Sequence, residues 1–227
     1  MKNKFKKFFS ITIVLFLSLL INTSCSAAVV KIVLTGGCCG GKTTSMQHLK
    51  KHFESKGYNV ACLGEASTTL YYEDHISAKD VPLYDYERMV IKKQISEEDK
   101  ICHGLEQNSQ GKISLLFCDR AVLDFKGFMD DPNCDKLLKE LGLPEEELYK
   151  RYSAVFHMLS TTKFREDLYS NDEVRIIDID AARAVDDKLI KVWSKHPYWR
   201  LIENCITFDE KLGRLILEVE YFLSGTV

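Results

Sequence analysis

Residues 29–44 read VVKIVLTGGCCGGKTT and join a short apolar run to a glycine-rich loop. The first six residues are almost all apolar, which is typical of a central strand in a parallel sheet. Met46, Leu49 and Phe53 follow the loop at helical spacing, so a helix is expected after it. A strand, a glycine loop and a helix in this order predict the first β–α unit of an α/β fold.

Further apolar runs predict four more strands, separated by helical patterns. They are Tyr58–Leu63, Ile113–Cys118, Ala154–Leu159 and Trp199–Glu203. Strands that alternate with helices form a parallel sheet covered on both faces. We therefore expect an α/β fold, a three-layer sandwich with a central parallel five-stranded sheet, in one domain over residues 29–227. His157 alternates within an apolar run and is interpreted as a core histidine.

The glycine loop fits the phosphate-binding pattern G-x-x-x-x-G-K-[ST] at every fixed position, from Gly36 to Thr43. Glycines let successive backbone N–H groups turn inward around an anion, and the helix start adds the positive end of its dipole. Lys42 can neutralise the β- and γ-phosphate oxygens, and the Thr43 hydroxyl can bind Mg²⁺. The alternative is a turn that binds nothing, but the complete motif in this context favours a phosphate site.

An acid and an arginine follow the third predicted strand. Asp119 comes directly after the run 113–118, and Arg120 is next to it. Because ligands bind at the carboxyl edge of parallel strands, Asp119 is expected to hold Mg²⁺. Arg120 can grip an acceptor or a phosphate through two N–H groups. The alternative is a helix N-terminal acid beside a surface arginine, and Asp124, one turn further on, is a weaker metal candidate.

Two further groups could complete a transfer site. Glu65 follows the second strand, where a carboxylate could accept the proton of an acceptor hydroxyl; a helix-capping or solvated acid is an equally open interpretation. Residues 160–177 are polar, charged and without periodicity, which predicts a mobile loop. Arg165 and Arg175 could serve as lid cations or be solvated, whereas the solvated interpretation is favoured for Lys163.

The first 28 residues have the plan of a secretory signal. Lysines precede an apolar run of 14 residues at 8–21, and the stretch NTSCSAA follows. This run is shorter than the about 20 residues that a membrane span needs. Cleavage after Ala28 is expected, with lipidation of Cys25, an uncleaved anchor or a mis-assigned start codon as alternatives. The segment could therefore provide membrane association.

Charge and cysteine content bear on partners and compartment. Residues 1–28 hold four of the 31 Lys and Arg residues and none of the 33 acids, so the rest has 27 basic residues and a net charge of −6. A net negative charge is unfavourable for binding the phosphates of a nucleic acid, so no nucleic-acid partner is expected. The eight cysteines show no C-x-x-C spacing and are typical of reduced thiols. A cytoplasmic compartment therefore competes with the secretory pathway that the N-terminus indicates.

Four segments carry a resemblance to a known family: VKIVLTGGCCGGKTT, LLFCDRAVLD, RYSAVFHMLS and HPYWRLIENCITFDEKL. From about Val29 to Leu223 the chain resembles the P-loop domain shared by the TRPL translocation-defect proteins and the kinase domain of bacterial ribosylnicotinamide kinases. The resemblance implies a nucleotide-kinase-like P-loop NTPase that uses ATP or GTP with Mg²⁺.

The resemblance also implies roles for single residues. Phosphate binding falls to Gly36, Gly37, Cys38, Cys39, Gly40, Gly41, Lys42, Thr43 and Thr44. Asp119 and Arg120 would serve the metal and the transferred phosphate, and Glu65 the acceptor. Arg175 matches a lid-end arginine, and Asn204 falls where the nucleotide base often lies.

Two functions are compatible with this pattern. The first is an enzyme that transfers the γ-phosphate of a nucleoside triphosphate to an unidentified small-molecule or lipid acceptor, or hydrolyses it. The second is a nucleotide-dependent binding or trafficking module at membranes with little or no catalysis. The second is kept because the chain departs from the family where Cys38 replaces proline, Ala121 glycine and Glu203 aspartate, which weakens the acceptor assignment.

Overall fold

A five-stranded parallel sheet forms the centre of the computed structural model, which describes residues 28–163 and 178–225. Its strands are β1 (Val30–Thr35), β2 (Asn59–Leu63), β3 (Ser114–Asp119), β4 (Ala154–Met158) and β5 (Trp199–Ile202). Their spatial order is β2-β3-β1-β4-β5, and each neighbouring pair is parallel. The predicted α/β fold with five parallel strands is confirmed.

Helices cover both faces of this sheet. Those of the described ranges are α1 (Lys42–Ser55), α2 (Ala66–Tyr72), α3 (Leu83–Gln107), α4 (Asp131–Leu141), α5 (Glu145–Lys150), α6 (Ile179–Trp193) and α7 (Phe208–Ser224). Two short 3₁₀ helices span Val122–Gly127 and Thr161–Lys163. Within the described ranges, no helix combines the length and apolar character needed to cross a membrane.

The core has two sides because successive strand residues point to opposite faces of a sheet. Ile32 and Leu34 of β1 pack with apolar residues of α1 and α7. Val33 packs on the other side, in the cluster that contains Leu189 and Trp193 of α6. The central strand is therefore buried on both faces, as the continuous apolar run predicts.

Some predictions fall on residues outside the described ranges. The signal-like segment spans residues 1–28, and all of it except Ala28 is outside the described ranges. Arg165 and Arg175 are outside them as well, since they lie in 164–177. Their roles stay predictions, as do the bounds of the domain. No disulfide bond joins the cysteines of the described ranges, which are Cys38, Cys39, Cys62, Cys102, Cys118, Cys134 and Cys205.

Candidate functional site

The candidate site lies at the carboxyl edge of the sheet, where each strand ends in, or is followed by, a polar residue or a loop. These positions are Gly36 after β1, Glu65 after β2, Asp119 at the end of β3, Ser160 after β4 and Asn204 after β5. Parallel sheets bind their ligands at this edge. The sequence-predicted residues of the described ranges are thus brought to one region.

The loop between β1 and α1 contains two positions, Gly36 and Gly41, that only glycine fits. Gly36 has a φ of 123° and Gly41 a φ of 87°, and Cys39 is left-handed at 56°. A Cβ atom on Gly36 would lie 2.3 Å from the Met158 carbonyl oxygen, and one on Gly41 would lie 2.6 Å from the Phe208 ring. Glycine is therefore required at both positions by conformation and by space.

Hydroxyl groups that follow β4 support this loop. Ser160 Oγ donates to the carbonyl of Cys38 at 2.7 Å, and Thr161 Oγ1 donates to the carbonyl of Cys39 at 3.0 Å. These two bonds tie the loop to the segment that follows β4. One of the supported residues is Cys38, the position at which the resembled family usually has proline.

The spacing of the motif places its lysine and two threonines at the start of α1. Lys42 is buried, and its Nζ donates to the carbonyl oxygens of Gly36 at 3.0 Å and Gly37 at 2.7 Å. Its ammonium group therefore lies across the loop. Thr43 and Thr44 are exposed in the first helical turn, where backbone N–H groups have no partner within the helix.

Thr43 and Asp119 form a pair suited to a divalent cation. Thr43 Oγ1 donates to Asp119 Oδ2 at 2.5 Å. Asp119 is buried, and its Oδ1 has no hydrogen-bond partner in the part of the chain that the structure describes. Burial raises the pKa of Asp119, although the positive charge of Lys42 opposes this. Oxygen ligands of this kind fit Mg²⁺, which commonly combines one or two protein oxygens with phosphates.

No cluster of three or more His, Cys, Asp or Glu residues suited to a metal occurs within 28–163 and 178–225.

Arg120 links the loop to two carboxylates. It has a left-handed backbone at φ 73°. Its Nε donates to Glu65 Oε1 at 2.6 Å, and its Nη1 lies 3.3 Å from both Asp124 Oδ2 and the Gly36 carbonyl oxygen. The guanidinium therefore holds Glu65 at the mouth of the phosphate loop.

Asp124 has a structural role that differs from the weaker metal assignment. Its carboxylate is buried and accepts hydrogen bonds from Thr35 Oγ1 at 2.9 Å and Trp193 Nε1 at 2.7 Å. With Arg120 as its third partner, it has little capacity left for a metal. It ties β1 to α6 beneath the loop.

Two cavities flank the loop. The larger, of about 320 Å³, is called the main cavity; Cys38, Glu65 and Arg120 line its polar end, and Tyr86, Phe125 and Phe128 line its apolar part. The smaller, of about 130 Å³, is called the side cavity. It is lined by Cys39, Gly41, Asn204, Phe208 and Lys211, among others. The loop thus separates two spaces.

Asn204 lines the side cavity, but its carboxamide is bonded to the protein. Its Nδ2 donates to the Ser160 carbonyl at 3.0 Å, and its Oδ1 accepts from Lys211 at 3.0 Å. Lys211 also donates to the carbonyls of Gly40 at 3.0 Å and Leu159 at 2.7 Å. Burial lowers the pKa of Lys211 to about 8, and the charge of Lys42 acts in the same direction. Sequence reasoning missed this lysine, although it lies in the C-terminal motif HPYWRLIENCITFDEKL.

Asp186 is a second residue that sequence reasoning missed. Its Oδ1 accepts from the backbone N–H of Gly37 at 2.7 Å and lies 2.9 Å from His157 Nε2. Burial opposes its ionisation, yet the hydrogen bond from His157 holds the pKa of Asp186 well below its usual value. His157 is buried as expected. Lys163 is exposed, consistent with the solvated interpretation, and its Nζ lies 3.1 Å from Asp186 Oδ2 and 2.6 Å from Asp187 Oδ1.

Comparisons with known proteins agree with this architecture. A protein-family model described as an AAA domain matches residues 31–210. The chain is also similar to the crystal structure of thymidylate kinase from Ehrlichia chaffeensis, with a TM-score of 0.57, 19% sequence identity, and coverage of 86% of this chain and 98% of that chain. At this identity the likeness shows the fold alone.

A comparison with curated proteins gives no significant match. Neither finding decides between the translocation-defect and ribosylnicotinamide kinase branches, so that finer resemblance stays an expectation. The P-loop and the kinase-like α/β fold are confirmed by the family model and the structural match together. Because the model covers well over half of the sequence, the chain belongs to the AAA domain family and has the fold of a kinase-like P-loop NTPase.

Proposed function

We propose that the protein binds a nucleoside triphosphate, ATP or GTP, with Mg²⁺ and transfers its γ-phosphoryl group to a small hydroxyl compound in the main cavity. One observation carries this proposal. The phosphate loop and the main cavity meet at Arg120, whose Nη1 lies 3.3 Å from the Gly36 carbonyl and whose Nε lies 2.6 Å from Glu65. A carboxylate is thus held beside the loop, at the end of a cavity that is open to a second substrate.

Each predicted residue has a separate task in this proposal. The backbone of the loop binds the phosphates, and Lys42 moves from the Gly36 and Gly37 carbonyls to the phosphate oxygens. Arg120 orients Glu65 and offers positive charge at the boundary between the substrates. Glu65 accepts the proton of the acceptor hydroxyl as the oxygen attacks phosphorus.

Thr43 and Asp119 would hold Mg²⁺ through their hydroxyl and carboxylate oxygens. When bound, the ion neutralises part of the charge on the phosphates. Arg175 lies outside the described residues, and its role as a lid cation rests on the charged, aperiodic stretch 160–177 and on the resemblance.

The size of the main cavity favours a small acceptor over a lipid. Binding sites for small molecules span about 300–1,000 Å³, and a cavity of about 320 Å³ lies at the lower end of that range. A ring of nucleobase size with a sugar fits this volume better than a long acyl chain does. The proposal therefore favours a ring-bearing alcohol.

The experiment has a binding arm and a transfer arm. Calorimetry measures binding of ATP and GTP with Mg²⁺, and γ-³²P-labelled nucleotide is then incubated with nucleosides, their monophosphates and simple sugars. We expect micromolar nucleotide binding and labelled product with at least one acceptor. Lys42→Met should reduce turnover by about a hundredfold or more, because the charge that stabilises the transferring group is removed.

Lys51→Met is the matched control, since Lys51 is an exposed lysine on the same helix. It should retain wild-type turnover. Absence of heat with both nucleotides would overturn the proposal. Tight nucleotide binding with no labelled product from any acceptor would instead favour the nucleotide-dependent binding module.

A further inference from the structure

One carboxyl group in the main cavity has no task in the proposed transfer. Glu87 lies on α3, between the cavity-lining residues Tyr86 and Val90, and is only 5% exposed. Within the described ranges, neither a hydrogen bond nor an ion pair reaches its carboxyl group. Its oxygens are not among the fully enclosed unpartnered side-chain atoms of the described ranges, and the residue lines the main cavity. Its position in the cavity indicates a partner that arrives with the ligand.

The surroundings of Glu87 favour the protonated, uncharged form of this carboxyl group. Burial raises its pKa to about 8; the charge of Arg120 opposes the shift, while Glu65 and Asp124 reinforce it. A neutral carboxyl group carries one O–H donor beside one carbonyl acceptor. It can therefore form two hydrogen bonds with a ligand edge that offers an acceptor beside an N–H group.

The charges in the main cavity disfavour a second anion. Arg120 is already shared by Glu65 at 2.6 Å and Asp124 at 3.3 Å. The other cation among the described lining residues is Lys79, which lies on the exposed part of the lining. A phosphate or carboxylate group on the acceptor would thus lie near the acidic side chains of the cavity. The guanidinium of Arg120 could not fully neutralise it, because that group is already paired with Glu65 and Asp124. Desolvating an anion there is unfavourable.

The apolar part of the cavity suits a flat ring. Tyr86 and Phe125 are buried in its wall, and Phe128 lies under Arg120, with the guanidinium carbon 5.4 Å from the ring centre. Aromatic side chains bind planar rings by stacked or edge contacts. Glu87 and Glu65 line the same cavity, so a ring with a polar edge and an alcohol has a carboxyl group available for each.

We propose that Glu87 determines acceptor specificity: its carboxyl pairs with the N–H edge of a ring-bearing, uncharged alcohol, and the cavity rejects the phosphorylated form of the same compound. The inference rests on the proposed function and extends it from a site to a substrate class. No step of the transfer passes through Glu87, so it acts as a specificity residue and not as a catalytic one.

The test compares Glu87→Leu and Glu87→Gln with the wild type on named probes. These are adenosine, cytidine, guanosine and uridine, their 5′-monophosphates, and the N-methylated analogues N6,N6-dimethyladenosine and 3-methyluridine. Glu106→Gln is the matched control, because Glu106 is exposed on the same helix. Calorimetry measures probe and ATP binding, and labelled transfer gives kcat and KM.

The wild type should bind at least one nucleoside about tenfold more tightly than its monophosphate, and N-methylation should weaken that binding. Glu87→Leu should raise KM for that nucleoside about tenfold with little change in kcat, and Glu87→Gln should change the ranking of nucleosides. Both variants should keep wild-type ATP affinity, which shows that they are folded, and Glu106→Gln should match the wild type throughout.

Equal nucleoside affinity in Glu87→Leu and the wild type would overturn the inference, as would preference for the monophosphates. So would ATP binding by a wild type that binds none of the nucleosides. Failure of the proposed function gives a different result: either ATP and GTP do not bind, or nucleotide and nucleoside both bind and no product is labelled.

Discussion

The backbone N–H of Gly37 donates a 2.7 Å hydrogen bond to Oδ1 of Asp186, a residue that lies 149 positions further along the chain. This bond fixes the start of the phosphate loop to α6. The same oxygen contacts His157 at 2.9 Å, at the end of β4. The buried carboxylate of Asp186 therefore connects the phosphate loop, β4 and α6, although it has no part in the proposed chemistry.

Asp186→Ala should destabilise the protein by about 3 kcal/mol. The substitution leaves the Gly37 N–H and His157 buried without their acceptor, and removal of one partner from a buried charged network is unfavourable by about 3–5 kcal/mol. Urea denaturation measures the loss in free energy of unfolding. Asp187→Ala is the control, since its carboxylate is mostly exposed, and it should change stability by less than about 1 kcal/mol. Equal stability of the two variants would contradict this role.

Thr43→Val should remove the effect of Mg²⁺ on nucleotide binding. The side chain keeps its shape but loses the hydroxyl that now lies 2.5 Å from Asp119. Calorimetry with ATP, with and without Mg²⁺, measures the metal-dependent gain in affinity. Thr44→Val is the matched control because Thr44 is its exposed neighbour, and any phosphate contact of its backbone N–H is kept. A full metal effect in Thr43→Val would rule out the hydroxyl as a ligand.

Gly36→Ala should lower stability by about 2 kcal/mol or more and abolish nucleotide binding. The added Cβ would lie 2.3 Å from a backbone oxygen of Met158, at a φ that alanine rarely adopts. Gly104 provides the contrast, since it lies in α3 with no atom within 4 Å of an added Cβ. Gly104→Ala should therefore raise stability by about 0.5–1 kcal/mol through helix propensity. Similar melting curves for the two variants would refute the claim that the loop needs glycine.

The strands and the phosphate loop could be predicted from the sequence because their signals are local. Continuous apolar runs mark buried parallel strands, and the loop motif fixes Lys42 and Thr43 by spacing alone. Asp119 and Glu65 could also be predicted as site residues, because the carboxyl ends of parallel strands meet at one edge of the sheet. These residues do lie at that edge.

Asp186, Glu87 and Lys211 could not be assigned in the same way. A charged residue on a helix is usually solvated, and burial depends on which face the sheet covers. Asp186 offered one usable signal, since it interrupts the apolar stripe of Ala182 and Leu189 on α6. Glu87 lies near the start of a helix rich in charge, where no local pattern separates a buried acid from exposed ones.

Replacement of Glu87 by Gln should change how stability depends on pH. The pKa of Glu87 is about 8 in the fold and 4.5 for an ordinary glutamate, so the folded protein keeps a proton that the unfolded chain has lost. The free energy of unfolding of the wild type should therefore fall as the pH rises from about 4.5 to about 8. At about 1.4 kcal/mol per pH unit, this contribution reaches at most about 4 kcal/mol between pH 5 and pH 8.

Urea denaturation of the wild type and Glu87→Gln at pH 5, 6, 7 and 8 isolates this contribution. Arg120, Glu65 and Asp124 act on the same carboxyl, but they are present in both proteins, so the difference between the two curves belongs mainly to Glu87. The variant should lose less stability with rising pH and be the more stable protein at pH 8. Parallel curves would mean that the carboxyl is already ionised in the fold, and its pairing with a ligand would then be that of a charged acceptor of N–H groups.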